Sequence, residues 1–112
     1  AINVGARLGI VGKAVPMTRT LAEALPTMTV TMTGPDGVLL EVPGSAILGD
    51  PLQAVVWLVQ ALKAEGRSLR PGDVISLGSF GPPQQPIPGA TLAVTYSGLP
   101  GGDLKVRVSF TD

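Results

Sequence analysis

The sequence predicts an α+β domain that is mainly β, with one principal helix at about 51–65. Three features point to this class: segments that alternate apolar and polar residues, glycine-rich turns between them, and one long apolar stretch after Asp50-Pro51. A length of 112 residues suits one domain, and no interior linker is visible, so residues 1–112 are expected to form a single unit. We expect a mixed, mainly antiparallel β-roll or sandwich.

The first quarter of the chain predicts one short strand and one short helical turn. Arg7 to Val11 (RLGIV) suits a strand in which glycine marks a bend. Thr18 and Thr20 are candidate caps for a turn through residues 21–25, because a threonine hydroxyl can accept from a free backbone N–H.

A β-hairpin is predicted next. Thr27 to Thr33 (TMTVTMT) alternates threonine with methionine or valine, which is typical of a half-buried strand with one hydroxyl face. Asp36-Gly37 is a strong turn signal, and residues 38–42 return as the second strand. Residues 43–49 are expected to be a loop.

The principal helix has clear end signals and an unusual surface. Asp50 is a typical N-cap, Pro51 suits the first helical position, and Gly66 is a natural left-handed stop. Its only polar line consists of Gln53, Gln60 and Lys63. A surface helix normally has a wide polar face exposed to solvent, and this helix lacks one. We therefore expect sheet on one side of it, further protein on the other, and Trp57 largely buried.

The remainder predicts three strands separated by turns and a proline-rich loop. A turn at 70–73 leads into a strand at Val74 to Leu77, and Pro82 to Pro88, with four prolines in seven residues, suits an irregular loop. Thr91 to Tyr96 and Leu104 to Phe110 alternate as the last two strands.

Composition excludes several classes of function. The chain has no cysteine and no histidine, so it offers no disulfide, no thiolate metal site and no imidazole base. Eight basic residues balance eight acidic ones, which argues against a nucleic-acid partner. No membrane span is expected, because Lys63 ends the longest apolar run, and a cytoplasmic location is expected.

The charged fraction, 14%, is low for a soluble domain. One interpretation is a compact β-rich domain. The favoured one is that part of this surface is covered by another subunit or by a further part of the same protein.

No complete catalytic set is visible in the residues themselves. The carboxylates are dispersed over turns and the helix cap, and no pair has the spacing of metal ligands. Gly78-Ser79-Phe80-Gly81 lacks the Gly-x-Ser-x-Gly pattern of a nucleophile turn, and no histidine is present to activate its serine.

The order of several motifs resembles a known enzyme family. Gly44 to Leu52 (GSAILGDPL), Ala54 to Leu58 (AVVWL), Leu69 to Ile75 (LRPGDVI) and then Gly78 are similar to the 2-hydroxypentadienoate (2-oxopent-4-enoate) hydratase and 4-oxalocrotonate decarboxylase family. That family belongs to the fumarylacetoacetate-hydrolase-like superfamily, and the chain resembles its C-terminal half. Gly98 to Gly101 (GLPG) is closer to the decarboxylase branch.

The resemblance implies part of a lyase acting on small 2-oxo acids in aromatic meta-cleavage catabolism. It implies Mg²⁺ or Mn²⁺ in the parent enzyme, with ligands outside this chain, and a chain that is inactive alone. Asn3, Gly78 and Ser79 match substrate-contacting positions: the amide of Asn3 for an oxygen, and the backbone N–H groups at 78–79 for a carboxylate. Two departures, Ile2 for aspartate and Gly5 for serine, weaken the match of the N-terminal segment.

The resemblance also implies partners: the missing N-terminal half, further copies of the chain, or both. Two alternatives stay open. One is a non-catalytic assembly or regulatory domain of the same fold, and the other is an unrelated small-molecule binding protein.

Overall fold

The computed structural model describes residues 9–111 and has an α+β architecture. Its helices are α1 (Arg19–Ala24) and α2 (Pro51–Ala64), with a 3-10 turn at Gly44–Ala46. Its strands are β1 (Thr29–Gly34), β2 (Gly37–Pro43), β3 (Thr91–Ser97) and β4 (Leu104–Ser109). They form one antiparallel sheet in the order β2-β1-β3-β4. The predicted class, with one main helix, is confirmed, and closure into a roll stays a prediction.

The sheet has one apolar face and one hydroxyl-bearing face. Val30 lies opposite Val42 on one side and Tyr96 on the other. Thr31 lies opposite Glu41 and Thr95. Because directly opposed residues share a face, the alternation in β1 extends across the sheet, and the predicted half-buried strand is confirmed.

The predicted hairpin is also confirmed. Gly34 pairs with Gly37 across the two-residue loop at 35–36, and the register shifts between Met32 and Thr33. Leu39 is the extra residue opposite this shift, since Met32 pairs with Leu40 and Thr33 with Val38. A bulge of this kind redirects side chains locally, and Leu39 is exposed.

The core is small, and it is not confined to one end of the sheet, since Met28 precedes β1 and Ala90 lies near the other end of that strand. The buried apolar side chains among the described residues are Leu21, Met28, Val30, Ile47 and Ala90. Thr18 caps α1, as predicted, by accepting from the Leu21 N–H at 3.1 Å, which holds Leu21 over the sheet.

Helix α2 begins and ends as the sequence predicts. Asp50 Oδ1 accepts from the Leu52 N–H at 3.0 Å, and Pro51 occupies the first turn. At the C-terminus Gly66 has φ +73°, and the Arg67 N–H donates to the Leu62 carbonyl at 2.8 Å. This is a Schellman motif, which satisfies carbonyls that the helix leaves free.

The cap supports a first prediction. Replacing Asp50 with Ala should lower the free energy of unfolding by about 1 kcal/mol, because a free N–H of the first turn loses its acceptor. Gln53→Ala, at an exposed position on the same helix, should change it little. Chemical denaturation of both variants measures the difference, and equal midpoints would contradict the role of the cap.

The burial predicted for α2 is wrong. Trp57 is 58% exposed, Val56 is 47% exposed and Val59 is 44% exposed, and Pro51 is the buried residue of the helix. The helix packs near the 3-10 turn and the segment at 74–78 and does not lie on the sheet. A strong apolar pattern indicates that other protein packs against the helix, but it does not show that this protein lies within residues 9–111.

Two predicted strands are not formed as expected. Val74 to Leu77 is irregular, and Val74 is 88% exposed. The segment lines a groove beside α2 and joins no strand among residues 9–111. Gly9 to Val11 is not a strand either, and the first part of that predicted strand lies outside the described residues.

The stretch Gly44–Ala64 is long and apolar enough to cross a membrane by length and composition, with mean hydropathy 1.3 over its most apolar window. Its backbone is not one continuous helix. Leu48 and Gly49 have φ values of +52° and +77°, which separate the 3-10 turn from α2. The 14 residues of α2 reach about 21 Å at 1.5 Å each, short of a bilayer core of about 30 Å.

Candidate functional site

A cavity of about 350 Å³ lies at the end of the apolar sheet face. It is open to solvent on one side. It is lined by α1 and the turn after it, by the start of β1, by the 3-10 turn, by the segment at 77–80, by the end of β3 and the loop after it, and by the start of β4. Its walls include Leu21, Leu25, Ile47, Leu77, Phe80 and Tyr96. We call it the apolar cavity, because among its lining residues within 9–111 Tyr96 alone has a side chain with a nitrogen or oxygen atom.

Gly78, a predicted substrate contact, lies in the wall of this cavity. It also lines the groove between α2 and the segment at 74–78, where Trp57 lies. Its φ is +127°, a conformation that residues with a side chain strongly disfavour, so the backbone here favours glycine. The geometry puts Gly78 between the cavity and the uncovered helix.

Ser79 does not line either space. Its hydroxyl donates to the Gly81 carbonyl at 2.5 Å. The same hydroxyl oxygen accepts a hydrogen bond from the Gly81 N–H, with an N–O distance of 3.3 Å. The hydroxyl thus closes a local turn at an exposed position. Asn3 lies outside the described residues. The proposed roles of Asn3, Gly78 and Ser79 toward substrate stay predictions.

Tyr96 is the residue that sequence reasoning missed. In the sequence it only completes the alternation of TLAVTY, but in the sheet it pairs with Val30 and Leu104 and lines the cavity. Burial raises the pKa of the Tyr96 hydroxyl above its usual value near 10. The signal available beforehand was that this single tyrosine alternates in register with the apolar residues of its strand.

The raised pKa gives a second prediction. Tyr96 is the only tyrosine, so the near-ultraviolet absorbance of tyrosinate reports its ionisation alone. The folded chain should titrate above about pH 10 and the denatured chain near pH 10. Because the pKa of Tyr96 is higher in the folded state, keeping the hydroxyl protonated favours folding, and this contribution to the free energy of unfolding is complete below the unfolded-state pKa. It is lost as pH rises through the folded pKa. Coincident titrations of both states would contradict the burial of this hydroxyl.

The charges of the described residues are dispersed. Among residues 9–111, no three Asp or Glu side chains are close enough to form a metal site. Asp73 accepts from the Arg70 N–H at 2.8 Å and closes the predicted turn there, and Glu23 pairs with Arg19 on the surface of α1. These carboxylates have local structural partners.

Comparison with known proteins identifies relatives over the whole chain. No protein-family model matches it. A 2-keto-4-pentenoate hydratase of Paraburkholderia phymatum is 31% identical over 112 residues, and one of Burkholderia vietnamiensis is 32% identical over the same length. A protein named TodF product hydratase, from Pseudomonas putida, is 41% identical over 56 residues, half of the chain and 21% of that protein.

The chain spans about two fifths of the length of the first two relatives, since the matches cover 100% of this chain and 40% of each hydratase. 2-Keto-4-pentenoate hydratase is the same activity as 2-oxopent-4-enoate hydratase, so the resemblance seen in the motifs is confirmed. The chain is therefore homologous to a part of the 2-keto-4-pentenoate hydratases.

Proposed function

We propose that the chain is part of a lyase that hydrates a 2-hydroxydienoate, or its 2-oxo tautomer, in aromatic meta-cleavage catabolism. The observation that supports this proposal is the identity of 31–32% to two hydratases over all 112 residues. In this proposal the chain corresponds to the C-terminal region of a fumarylacetoacetate-hydrolase-like enzyme, and its sheet belongs to a larger β-roll. The cytoplasmic location expected from the sequence stays a prediction.

The role proposed for this chain is to bind and enclose the substrate. The backbone N–H groups at Gly78 and Ser79 would receive the carboxylate, as in the resemblance, and Asn3 would donate from its amide to a second oxygen. The position of Gly78 between the apolar cavity and the groove below α2 supports a substrate contact there.

The Mg²⁺ or Mn²⁺ expected for the parent enzyme has no fitting ligand set among residues 9–111. Magnesium needs several oxygen ligands in octahedral geometry, and the described carboxylates are dispersed. The proposal therefore assigns the metal, and the chemistry of the enolate, to parts of the protein beyond the described residues.

Two other functions remain as alternatives. A 4-oxalocrotonate decarboxylase is favoured only by the GLPG turn at 98–101. A non-catalytic assembly or regulatory domain of the same fold is favoured by the absence of a complete catalytic set in the sequence.

Complementation tests the proposal. The chain is mixed with the separately expressed portion of the P. phymatum hydratase that it does not match, with Mg²⁺ present. We expect the dienol absorbance of 2-hydroxypenta-2,4-dienoate to fall only in the mixture. Asn3→Ala should lower turnover more than it lowers assembly. Assembly without any turnover would favour the non-catalytic alternative.

A further inference from the structure

The segment at 74–77 has the features of a β-strand but is not paired with one among residues 9–111. Val74 and Ile75 are β-branched, and none of the four residues is charged. Ile75 and Leu77 are half-buried, whereas Val74 and Ser76 are exposed. Burial that alternates at every second residue is typical of an extended chain with one face packed on other protein.

The backbone of this segment leaves its hydrogen-bonding groups free. The N–H and carbonyl groups of residues 74–77 form no hydrogen bond with another group among residues 9–111, and the bonds that close the preceding turn end at Asp73. Peptide groups of an extended chain point sideways, at right angles to its side chains. Packing of Ile75 and Leu77 beside α2 therefore leaves the two edges of the segment open to a partner.

The outer edges of the four-stranded sheet are less suited to pairing. β4 presents Lys105 and Arg107, both exposed, and β2 contains the bulge at Leu39 and ends at Pro43. Charged side chains, bulges and prolines are the features by which proteins prevent pairing at sheet edges. The segment at 74–77 has no charge and no proline, so it is the described edge that best accepts a further strand.

We propose that one extended strand from the rest of a hydratase pairs along one edge of residues 74–77. This inference rests on the proposed function, because it takes its partner from the same enzyme. The match covers 40% of each of two hydratases, so the greater part of those proteins is available to supply the strand. Leu77 directly precedes Gly78. The pairing would therefore also fix the backbone that is proposed to receive the substrate carboxylate.

The side chains of the segment define the chemistry of the partner strand. Residues directly opposite each other in a strand pair share a face of the sheet. The neighbours of Ile75 and Leu77 would lie beside the apolar surface of α2, and the neighbour of Val74 would lie on the other face. A partner with apolar residues and without charges at these positions fits both faces.

Amide hydrogen exchange tests the proposal on the 112-residue chain, labelled with nitrogen-15. The partner is the unlabelled portion of the P. phymatum hydratase that the chain does not match. Successive N–H groups of a strand point to opposite edges, so pairing along one edge protects every second amide. Exchange should slow about tenfold or more at residues 74 and 76, or at 75 and 77, and stay unchanged at the other two. The exposed amides of Gln84 and Gln85 are the control and should not change.

Proline substitutions test the same edge through the loss of a donor. Ser76→Pro and Leu77→Pro each remove one N–H, and these two N–H groups point to opposite edges. The variant that lacks the protected amide should bind the hydratase portion about tenfold or more weakly in calorimetry. The other variant should bind more tightly than that, because proline is tolerated where the N–H faces solvent. Gln85→Pro, the matched change in the proline-rich loop, should leave the affinity unchanged.

Three results would overturn the inference: no assembly, unchanged exchange at all four amides in the assembled chain, or equal slowing of all four. Because exchange is measured on the unmodified chain, failure of a variant to fold leaves the test intact. Turnover is measured separately in the same mixture. Protection without turnover would support the pairing and contradict the proposed hydratase, and turnover without protection would do the reverse.

Discussion

The 112-residue chain is expected to scatter light as an oligomer, and replacing Val56 and Val59 with Glu should convert it to a monomer. These residues and Trp57 are all between 44% and 58% exposed on α2. Soluble monomers rarely expose contiguous apolar patches of this kind, so copies of the chain should cover one another here. Two carboxylates placed in that contact would have to lose their hydration, which association of the helices cannot offset.

A matched variant separates charge from position. Gln53→Glu with Gln60→Glu adds the same two charges to exposed positions on the polar line of α2. It should leave the oligomer intact. If the unmodified chain is a monomer by light scattering, or if both double variants dissociate equally, the assignment of this face as a contact is wrong.

Gly44→Ala should lower the free energy of unfolding by about 3 kcal/mol. A Cβ at Gly44 would overlap the Leu25 carbonyl oxygen and press on Met28 Cγ at 3.0 Å. The backbone cannot move away easily, because the Gly44 N–H donates to the Met28 carbonyl at 2.8 Å and the Ser45 N–H donates to the Pro26 carbonyl at 2.8 Å. Natural domains are stable by only about 5–15 kcal/mol, so this loss is a large fraction.

Gly9→Ala is the control, because nothing lies within 4 Å of a Cβ at that position. Its midpoint in chemical denaturation should stay close to that of the unmodified chain. A Gly44→Ala chain with an unchanged midpoint would mean that the 3-10 turn does not pack against the connection between α1 and β1.

The helix ends and the hairpin could be predicted from the sequence, because each depends on a few neighbouring residues. The caps at Thr18 and Asp50 and the stop at Gly66 depend on residues within five positions of each other, and the structure confirms them. The hairpin follows from alternation and a turn dipeptide. In these cases short-range hydrogen bonds decide the conformation, so composition and spacing contain the information needed.

Long-range structure could not be predicted in the same way. The apolar surface of α2 indicates that the helix is covered, but the sequence does not show by what, and the prediction of a buried Trp57 was wrong. Val74 to Leu77 has strand-like composition, but it lies beside α2 and joins no strand among residues 9–111. The cavity at Tyr96 depends on segments that are far apart in the chain. The order of the motifs correctly indicated the relationship to the hydratases, because that order is a property of the whole sequence and not of one local segment.

The measurement that tests the central claim most directly is the solvent exposure of Trp57 before and after assembly with the rest of a hydratase. Trp57 is the only tryptophan, so 5-fluorotryptophan gives the labelled chain a single fluorine signal even in a mixture. Adding the unmatched, unlabelled portion of the P. phymatum hydratase should shift this signal and remove its sensitivity to the solvent isotope, because the indole becomes buried. An unchanged, solvent-sensitive signal in a mixture that assembles would contradict the account of α2 as the face that the rest of the enzyme covers.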